Sequence, residues 1–445
     1  MARPFATFAT FVCSLATVFS SVLIASPTSA QESSPASRPN IVYILADDLG
    51  YADCGFNGGT QIKTPNLDKL AGEGTVLESF YVQPVCSPTR AALMTGRYPI
   101  RHGLQVGVIR PNAEFGLPLE ERMLSVALQE VGYTTAITGK WHLGSFDPQY
   151  WPHSRGFDHS HGHLFGALDY FTHIRNQKLD WYRNGEQLDQ PGYTTQLVGE
   201  EAVKFVKEQS GEKPFFLYVP FNAVHTPLQV PDHYREPYMD LPEQRSKLAG
   251  MLAAMDESVG KIVDAVEEQG LRDSTLFIFS SDNGGFRPRR VTDNGPLRAG
   301  KGTLYEGGVR VAAFATWDGH IAAGERNDEP VHIVDWFPTL LTLAGGSLEQ
   351  PKKLDGLDIW PTLTSGKPSP HEEILLNSTP NNGAIRVGNW KLKRNRNQPP
   401  ELYNLADDLG EQNNVAEANP EVVKDLQTRL DRYAAEALPP KNQQN

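Results

Sequence analysis

The sequence contains few cysteines, and this limits how the chain can be stabilised. Only three occur in 445 residues, and Cys13 lies in an N-terminal apolar segment. A disulfide-rich scaffold is therefore excluded, because at most one disulfide could join the two remaining cysteines, Cys54 and Cys86. A chain of this length can bury a core large enough to fold without that bond.

Long hydrophobic runs are also scarce. Phe11–Ile24 is apolar but interrupted by Ser and Thr, and it is shorter than the roughly 20 apolar residues that a membrane-spanning helix needs. With Arg3 before it and small residues up to Ala30 after it, the segment is typical of a signal peptide cleaved after Ala30. We therefore expect a signal peptide over 1–30, a linker over 31–38 and export to the periplasm or beyond. We expect no stable membrane anchor, although an uncleaved signal is the alternative.

Basic residues are outnumbered by acidic ones. The 41 Lys and Arg residues against 53 Asp and Glu residues give a formal net charge of −12. An acidic chain is a poor candidate for binding nucleic acid, so we expect no nucleic-acid partner. Any anionic substrate must be held by a local basic pocket, because the overall field of the protein repels it.

Four short apolar runs lack polar alternation, which is typical of strands buried on both faces of a sheet. They are Ile41–Leu45, Thr134–Ile137, Phe215–Val219 and Thr275–Phe279. Helical patterns lie between them, at Pro65–Glu73, Leu119–Val131, Thr194–Gln209 and Lys247–Gln269. This alternation predicts an α/β fold.

Residues capable of chemistry follow each of the four predicted strands. In chain order they are Asp47 and Asp48, Lys140 and His142, His225, and Asp282 and Asn283. Because sites in open α/β sheets form beyond the carboxyl ends of the strands, we expect these side chains to meet at one edge. The carboxylates and the amide offer only oxygen, which suits calcium or magnesium rather than zinc. Taken one at a time, each acidic pair could equally be a turn or a helix cap.

The most informative segment is Val85–Arg97. Within it Cys86 is followed by Pro88 and Arg90, and then by a Thr-Gly-Arg tripeptide. Pro88 suits the first turn of a helix, which places Cys86 at a helix N-terminus, where negative charge is favoured. Alone, this cysteine could equally be a buried structural residue or half of a disulfide with Cys54. The spacing Cys-x-Pro-x-Arg is the signature of the type I sulfatase family, which the chain resembles.

The resemblance implies a modified nucleophile and a metal ion. In that family the motif directs oxidation of the cysteine to formylglycine (3-oxoalanine), whose hydrate attacks sulfate esters. Cys86 would therefore be a substrate of formylglycine-generating machinery. The resemblance also implies that one divalent cation, usually calcium and with magnesium as a possibility, is held jointly by the oxygen at position 86 and four further residues. These are Asp47, Asp48, Asp282 and Asn283.

Other segments resemble the positions that bind sulfate in this family. Gly139–Gly144 is similar to the second family signature, in which Lys140 binds sulfate and His142 hydrogen-bonds the formylglycine. His225 resembles a histidine that contacts sulfate and can protonate the leaving oxygen, and Lys301 resembles a second sulfate-binding lysine. Considered singly, these are ordinary polar residues. The catalytic set implied by the resemblance is Cys86, Arg90, Lys140, His142, His225 and Lys301.

The resemblance continues to near Asp408 and implies the architecture of the whole chain. It implies an alkaline-phosphatase-like fold, with a mixed, mostly parallel sheet between helices and a small C-terminal α+β domain. We expect a catalytic domain over 39–367 and a C-terminal domain over 368–445. In the latter, Ile385–Lys393 would belong to an antiparallel sheet and Glu421–Ala435 would form a closing helix.

Within the family, the chain resembles the arylsulfatase B, or N-acetylgalactosamine-4-sulfatase, group. This rests on Trp141–Gly144, Arg155–Asp158 and Asp169–His173. Secreted animal members carry disulfides that this chain cannot form, so the exact sugar is not carried over. We expect an exo-acting enzyme for sulfated carbohydrates such as 4-sulfated galactose or N-acetylgalactosamine, with small aryl sulfates as slower substrates.

Two groups of residues are candidates for sugar contacts. One is a set of histidines that could instead form a packed turn: His153, His159, His161, His163 and His173. The other is a set of arginines that could engage neighbouring anions or simply be solvated: Arg287, Arg289, Arg290 and Arg298. Two other functions stay open at this level. One is phosphonate or phosphodiester hydrolysis on the same scaffold, and the other is cation-dependent glycan binding without catalysis.

Overall fold

The computed structural model describes residues 1–12, 38–286 and 291–443. Residues 1–12 contain no helix or strand. The predicted cleavage site after Ala30 and almost all of the predicted linker lie outside the described residues. None of the helices in these three ranges combines the length and the apolar character needed to cross a membrane.

The described residues contain ten α-helices and eighteen β-strands. The helices are α1 Pro65–Gly72, α2 Cys86–Thr95, α3 Leu124–Glu130, α4 Thr194–Lys207, α5 Asp232–Arg235, α6 Glu243–Glu268, α7 Glu306–Val309, α8 Trp336–Leu343, α9 Trp360–Ser365 and α10 Pro420–Ala435. The strands are β1 Asn40–Ala46, β2 Thr75–Leu77, β3 Phe80–Tyr81, β4 Thr134–Lys140, β5 His159–His163, β6 Ile174–Arg175, β7 Lys178–Leu179, β8 Tyr182–Arg183, β9 Glu186–Gln187, β10 Phe215–Pro220, β11 Thr275–Ser281, β12 Ala313–Thr316, β13 Glu325–Asn327, β14 Val331–His332, β15 Ile374–Ser378, β16 Asn382–Val387, β17 Trp390–Asn395 and β18 Glu401–Asn404.

Ten of the strands form one mixed sheet. Their order is β13-β2-β12-β11-β1-β10-β4-β5-β8-β9. The central strands β11, β1, β10, β4 and β5 are mutually parallel, whereas β12 and β8 run antiparallel to their inner neighbours. The four apolar runs of the sequence are the adjacent strands β11, β1, β10 and β4. The predicted mixed, mostly parallel sheet is confirmed.

Two layers of helices cover this sheet. Ile41, Tyr43 and Leu45 of β1 pack into one core with residues of α2, α3 and α8. The alternate residues Val42 and Ile44 pack into a second core with residues of α1, α4 and α6. Since both faces of the central strands are buried, neither face selects polar residues, which explains the unbroken apolar runs.

The predicted helix over Leu119–Val131 is the least accurate of the helix predictions. Helix α3 begins only at Leu124, because a turn precedes it. In that turn the Glu121 N–H donates to the carbonyl oxygen of Pro118 at 3.1 Å. The Glu121 carboxylate is also bound by Arg97 at 2.7–2.8 Å. These contacts hold the first residues of the stretch outside the helix.

A smaller antiparallel sheet lies near the C-terminus. Its order is β15-β16-β17-β18, and α10 packs on it through the buried residues Val423, Leu426 and Leu430. The predicted antiparallel sheet with a closing helix is therefore present. The domain boundary between 367 and 368 stays a prediction.

A buried network of charges joins this small sheet to the segment around α7. Lys391 on β17 is fully buried, and its Nζ lies 2.8 Å from carboxylate oxygens of both Glu306 and Glu411. Burial favours the neutral form of Glu306, but Lys391 and Arg310 outweigh it and hold the pKa of Glu306 below its usual value. Tyr81 also donates to Glu306 at 2.8 Å. Because α7 follows the loop that carries Lys301, the C-terminal sheet supports that loop.

We predict that Lys391→Met lowers the free energy of unfolding by about 3–5 kcal/mol, because two buried carboxylates would lose their cation. Urea unfolding measures this change. Arg396→Ala, at an exposed position just after the same strand, is the control and should change stability by less than about 0.5 kcal/mol. A loss below about 1 kcal/mol for Lys391→Met would contradict the stabilising role of this network.

Candidate active site

Cys86 is the first residue of α2 and only 1% of its surface is exposed. Its Sγ lies 3.6 Å from Oδ1 of Asp47 and 3.4 Å from Nζ of Lys301. Burial, together with Asp282 and Asp47, raises the pKa of the thiol far above its usual value. An unmodified Cys86 is thus held as a neutral thiol, which is a poor nucleophile.

Both described cysteines, Cys54 and Cys86, are buried and free. The disulfide that the sequence left open as an alternative does not form. The position of Cys86 at a helix N-terminus, which Pro88 predicted, is confirmed. Val85 before it is extended and provides no side-chain cap, so the first N–H groups of α2 have no capping side chain at this end.

Three carboxylates lie beside Cys86. Asp47 directly follows β1 and Asp282 directly follows β11, and both are fully buried, while Asp48 is 3% exposed. The backbone N–H of Asp48 donates to Oδ1 of Asp282 at 3.3 Å. Asp48 has φ of 60°, a left-handed conformation that costs energy for a residue other than glycine. The surrounding structure therefore forces this carboxylate into place.

Three cations pair with these carboxylates. Arg90 donates to Oδ2 of Asp282 at 2.9 Å and to Oδ2 of Asp47 at 3.2 Å, and Lys140 pairs with the same oxygen of Asp47. Lys301 lies 2.5 Å from Oδ1 of Asp48. Burial alone would lower the pKa of Lys301, but Cys86 and Asp48 raise it well above its usual value. The buried charges are therefore compensated one for one, which their removal from water requires.

His142 is a neutral acceptor in this arrangement. Burial, together with Lys140 and Arg90, holds the pKa of His142 well below its usual value. Its Nε2 lies 3.0 Å from the carbonyl oxygen of Ile109 and must donate to it. Nδ1 is consequently unprotonated, and it is buried with no hydrogen-bond partner among the described residues. His142 can therefore accept a proton or a hydrogen bond at Nδ1.

His225 lies at the opposite side of the site. Its Nδ1 is 2.6 Å from the carbonyl oxygen of Thr226 and donates to it, which leaves Nε2 as the free ring nitrogen. Nε2 lies 3.7 Å from Oδ2 of Asp48. Burial lowers the pKa of His225, although Asp48 and Asp47 oppose that effect.

The residues present fit a divalent cation. Ligand atoms of Asp47, Asp48, Cys86 and His225 all lie within 4.8 Å of one another. Asn283 donates through Nδ2 to Asp48 at 2.7 Å, while its Oδ1 is buried with no hydrogen-bond partner among the described residues. A buried amide oxygen that accepts no hydrogen bond is unusual and destabilises the fold. A cation bound to this oxygen would remove that destabilisation. His225 joins this group, which the sequence did not indicate.

The site opens into a cleft of about 810 Å³. Cys86, His142, His225 and Lys301 line it. The sequence did not predict most of the rest of the wall, because no motif marks it, although Gly166 and Ala167 lie in the histidine-rich segment that was predicted to contact sugar. This part of the wall consists of Val106–Ala113, Phe115, Gly166, Ala167, Arg175 and Asn442. Asn442 donates to the carbonyl oxygen of Val108 at 3.2 Å, so the C-terminal segment supports the cleft.

The five histidines of the histidine-rich segment do not line this cleft. Rings of His161 and His173 lie 4.9 and 4.6 Å from that of Trp181, and both histidines, like His163, are buried. Burial lowers the pKa of His161 to about 4. His161, His163 and His173 therefore form a packed aromatic cluster with Trp181 away from solvent. His153 is exposed and His159 is half-buried beside Glu201, and neither lines the cleft, so the predicted sugar contacts of these histidines are not supported.

Arg298 is also engaged elsewhere. Its guanidinium lies 4.0 Å from the ring centroid of Tyr305 and donates to the hydroxyl of Tyr403 at 3.2 Å. It therefore belongs to the contact with the small sheet, and its predicted role in binding substrate anions is not supported. Arg287, Arg289 and Arg290 lie outside the described residues.

Comparison with known proteins agrees with this arrangement. Residues 39–347 match the Sulfatase family. Mouse arylsulfatase J is 37% identical, with 91% of this chain and 77% of that protein covered, and mouse N-acetylgalactosamine-6-sulfatase is 36% identical, with 74% and 67% covered. The crystal structure of Ps i-CgsB in complex with k-i-k-neocarrahexaose gives a TM-score of 0.86 at 37% identity, covering 91% of this chain and 94% of that one.

These similarities support both the fold and the activity of the chain. The family match covers most of the large sheet, and the structural match extends over the small C-terminal sheet as well. The alkaline-phosphatase-like fold is thereby confirmed. The chain belongs to the sulfatase family, and its activity is the hydrolysis of sulfate esters.

Proposed function

We propose that the protein hydrolyses sulfate esters of glycans with a formylglycine made from Cys86 and with one bound divalent cation. The observation that supports this most directly is the environment of Cys86. Its thiol is buried between Asp47 and Lys301 and is held protonated, so the position is poorly suited to an ordinary cysteine nucleophile. An aldehyde hydrate at the same position supplies a hydroxyl nucleophile and contacts the same two side chains.

We propose calcium as the cation, with magnesium as the alternative. Asp47, Asp48, Asp282 and Asn283 would hold it together with the oxygen at position 86, since oxygen-rich sites with several carboxylates suit calcium. When bound, the cation supplies positive charge that favours the ionised form of a hydroxyl next to it.

Three side chains would stabilise the transferred sulfuryl group. Lys140, Lys301 and His225 surround Cys86 and would absorb charge on the sulfuryl oxygens, an electrostatic effect that can contribute several kcal/mol. All three are held by carboxylates or backbone before substrate arrives. These three groups therefore need little reorientation during the reaction.

Two histidines would move protons. His142 has a free acceptor at Nδ1 and would take the proton of the second hydroxyl of the hydrate, which then expels sulfate and restores the aldehyde. His225 is anchored through Nδ1 and presents Nε2 toward the site, where a protonated ring would donate to the leaving oxygen. Arg90 would hold residue 86 in place through its contacts with Asp47 and Asp282.

We further propose an exported, exo-acting enzyme that removes sulfate from a terminal 4-sulfated galactose or N-acetylgalactosamine. The N-terminal signal pattern supports export, with cleavage after Ala30. The likeness to a protein crystallised with k-i-k-neocarrahexaose supports a glycan substrate. The cleft of about 810 Å³ lies toward the upper end of the roughly 300–1,000 Å³ typical of small-molecule pockets, so a sugar residue has room to enter.

The first test concerns the nucleophile. Cys86→Ala should retain the fold and lower turnover of an aryl sulfate by at least about a thousandfold, because the attacking group is gone. Intact mass of natively expressed protein should be about 18 Da below the unmodified value, since formylglycine replaces cysteine. Cys54→Ala, at the other buried cysteine, is the control and should keep its turnover per folded molecule. Undiminished activity of Cys86→Ala would refute the proposal.

The second test concerns the cation. Adding calcium to chelator-treated protein should raise the melting temperature, because binding to the folded state alone stabilises by about 2.7 kcal/mol at a hundredfold excess over Kd. Asp48→Asn should abolish most of this shift, whereas Asp240→Asn, at an exposed carboxylate, should preserve it. The proposal fails if neither calcium nor magnesium shifts the wild-type protein and elemental analysis finds no metal.

The third test concerns the substrate. A panel of sulfated mono- and oligosaccharides, assayed for released sulfate, should show at least about tenfold higher kcat/KM for terminal 4-sulfated galactose or N-acetylgalactosamine than for an aryl sulfate. The aryl compound lacks remote sugar contacts, and about 1.4 kcal/mol of lost transition-state binding accounts for that factor. An aryl phosphate diester serves as the competing substrate class. Preference for 6-O- or N-sulfated glucosamine would contradict the proposed 4-sulfated substrate, but it would not contradict the hydrolysis of sulfate esters.

A further inference from the structure

Two arginines of the cleft differ from the other arginines of the chain. Among the described arginines between residues 38 and 443, only the side chains of Arg110 and Arg175 make no hydrogen bond, ion pair or ring contact with another described residue. Both are exposed, and both line the cleft that contains Cys86. The chain has 53 acidic residues, yet neither guanidinium group pairs with an acidic side chain of the described residues. Since both line one cleft, we expect them to bind a ligand there.

Arg110 is fixed next to the catalytic residues through its neighbour Ile109. The Ile109 N–H donates to Oγ of Ser87 at 3.1 Å, and Ser87 directly follows Cys86. The Ile109 carbonyl accepts from His142 at 3.0 Å. The backbone next to Arg110 is thus hydrogen-bonded to Ser87 and to His142. These two bonds fix the position from which the Arg110 side chain extends.

Arg175 is fixed to the opposite catalytic loop. It lies on β6, and the Ile174 carbonyl accepts from the Asp169 N–H at 3.0 Å. The adjacent Tyr170 is fully buried and its hydroxyl contacts the carbonyl oxygen of His225 at 2.9 Å. Gln229 bridges the same segment, accepting from the Tyr170 N–H at 2.9 Å and donating to Asp169 at 2.6 Å. The hairpin that presents Arg175 is therefore anchored to the loop of His225.

The floor of the cleft consists of three carboxylates and the three cations paired with them, and its charges are balanced. These residues are Asp47, Asp48, Asp282, Arg90, Lys140 and Lys301. Lys140 and Lys301 pair with Asp47 and Asp48, and they serve the sulfate that is cleaved. Arg110 and Arg175 are separate from those pairs, and no carboxylate of the described residues pairs with either of them. A planar guanidinium matches sulfate and carboxylate groups in a bidentate manner, which gives both affinity and geometric selectivity.

We propose that Arg110 and Arg175 bind a second anionic group of the glycan, a sulfate or a uronate carboxylate on a sugar next to the one that carries the cleaved sulfate. This rests on the proposed hydrolysis of glycan sulfates. The two arginines then select substrates with at least two anionic groups. They are specificity residues and take no part in the chemical step.

The test compares substrates within one enzyme. The measured quantity is kcat/KM for a galactan tetrasaccharide sulfated on two adjacent residues, divided by kcat/KM for p-nitrophenyl sulfate. The Arg110→Ala, Arg175→Ala double variant should lower this ratio at least tenfold, and the corresponding double Lys variant should restore part of it because the charges remain. Arg396→Ala, an exposed arginine in the small sheet, should leave the ratio within twofold. A monosulfated tetrasaccharide containing a uronate tests whether the second group is a carboxylate.

The outcomes separate this inference from the proposed function. A ratio that changes less than threefold in the double alanine variant, for both the disulfated and the uronate substrate, overturns the inference while sulfate hydrolysis stands. Calorimetry on a Cys86→Ala background needs no turnover, and adding the two arginine substitutions there should weaken binding of the disulfated tetrasaccharide at least tenfold. If that loss occurs while the wild-type enzyme hydrolyses no sulfate ester, Arg110 and Arg175 still bind an anionic group of the glycan, and it is the proposed function that fails.

Discussion

The pairing of three buried carboxylates with three cations beneath Cys86 is the interaction on which the rest of the site depends. A buried charge without a partner costs several kcal/mol. Asp282 is tolerated because Arg90 pairs with it, and Asp47 because both Arg90 and Lys140 pair with it. Arg90 belongs to α2, while the two carboxylates follow β1 and β11. The charge network therefore holds the helix that presents Cys86 against the carboxyl edge of the sheet.

This network also explains why strained backbone persists at the site. Asp48 and His142 both have φ near 60°, and each side chain is fixed by a specific partner, Lys301 for Asp48 and the Ile109 carbonyl for His142. Strain of about 1–3 kcal/mol per residue persists only where surrounding contacts over-determine the conformation. Here two layers of core on either side of the sheet supply that support. The result is a set of groups oriented before substrate binds.

The sequence predicted the floor of the site well because its residues lie at positions that local rules define. Asp47, Asp282 and Lys140 follow or end strands whose apolar runs are visible, and Pro88 marks the start of α2. The wall could not be predicted in this way. Arg110 and Arg175 reach the cleft through long-range bonds from Ile109 to His142 and from Tyr170 to His225, which leave no local pattern. His161, His163 and His173 could not be placed from the sequence, because their burial around Trp181 depends on the same kind of tertiary contact.

Different physical constraints therefore act on the floor and on the wall of the cleft. The floor is buried, and every charge in it needs a partner. Loss of Arg90 would therefore leave Asp282 without its cation and Asp47 with Lys140 alone. The wall consists of exposed loops, where Arg110 and Arg175 are hydrated and carry no structural pair, so their replacement costs the fold little. A cleft built in this way can change the glycan that it accepts without disturbing the residues that surround the sulfate. We therefore expect the residues of the wall to determine substrate preference and the residues of the floor to determine the reaction chemistry.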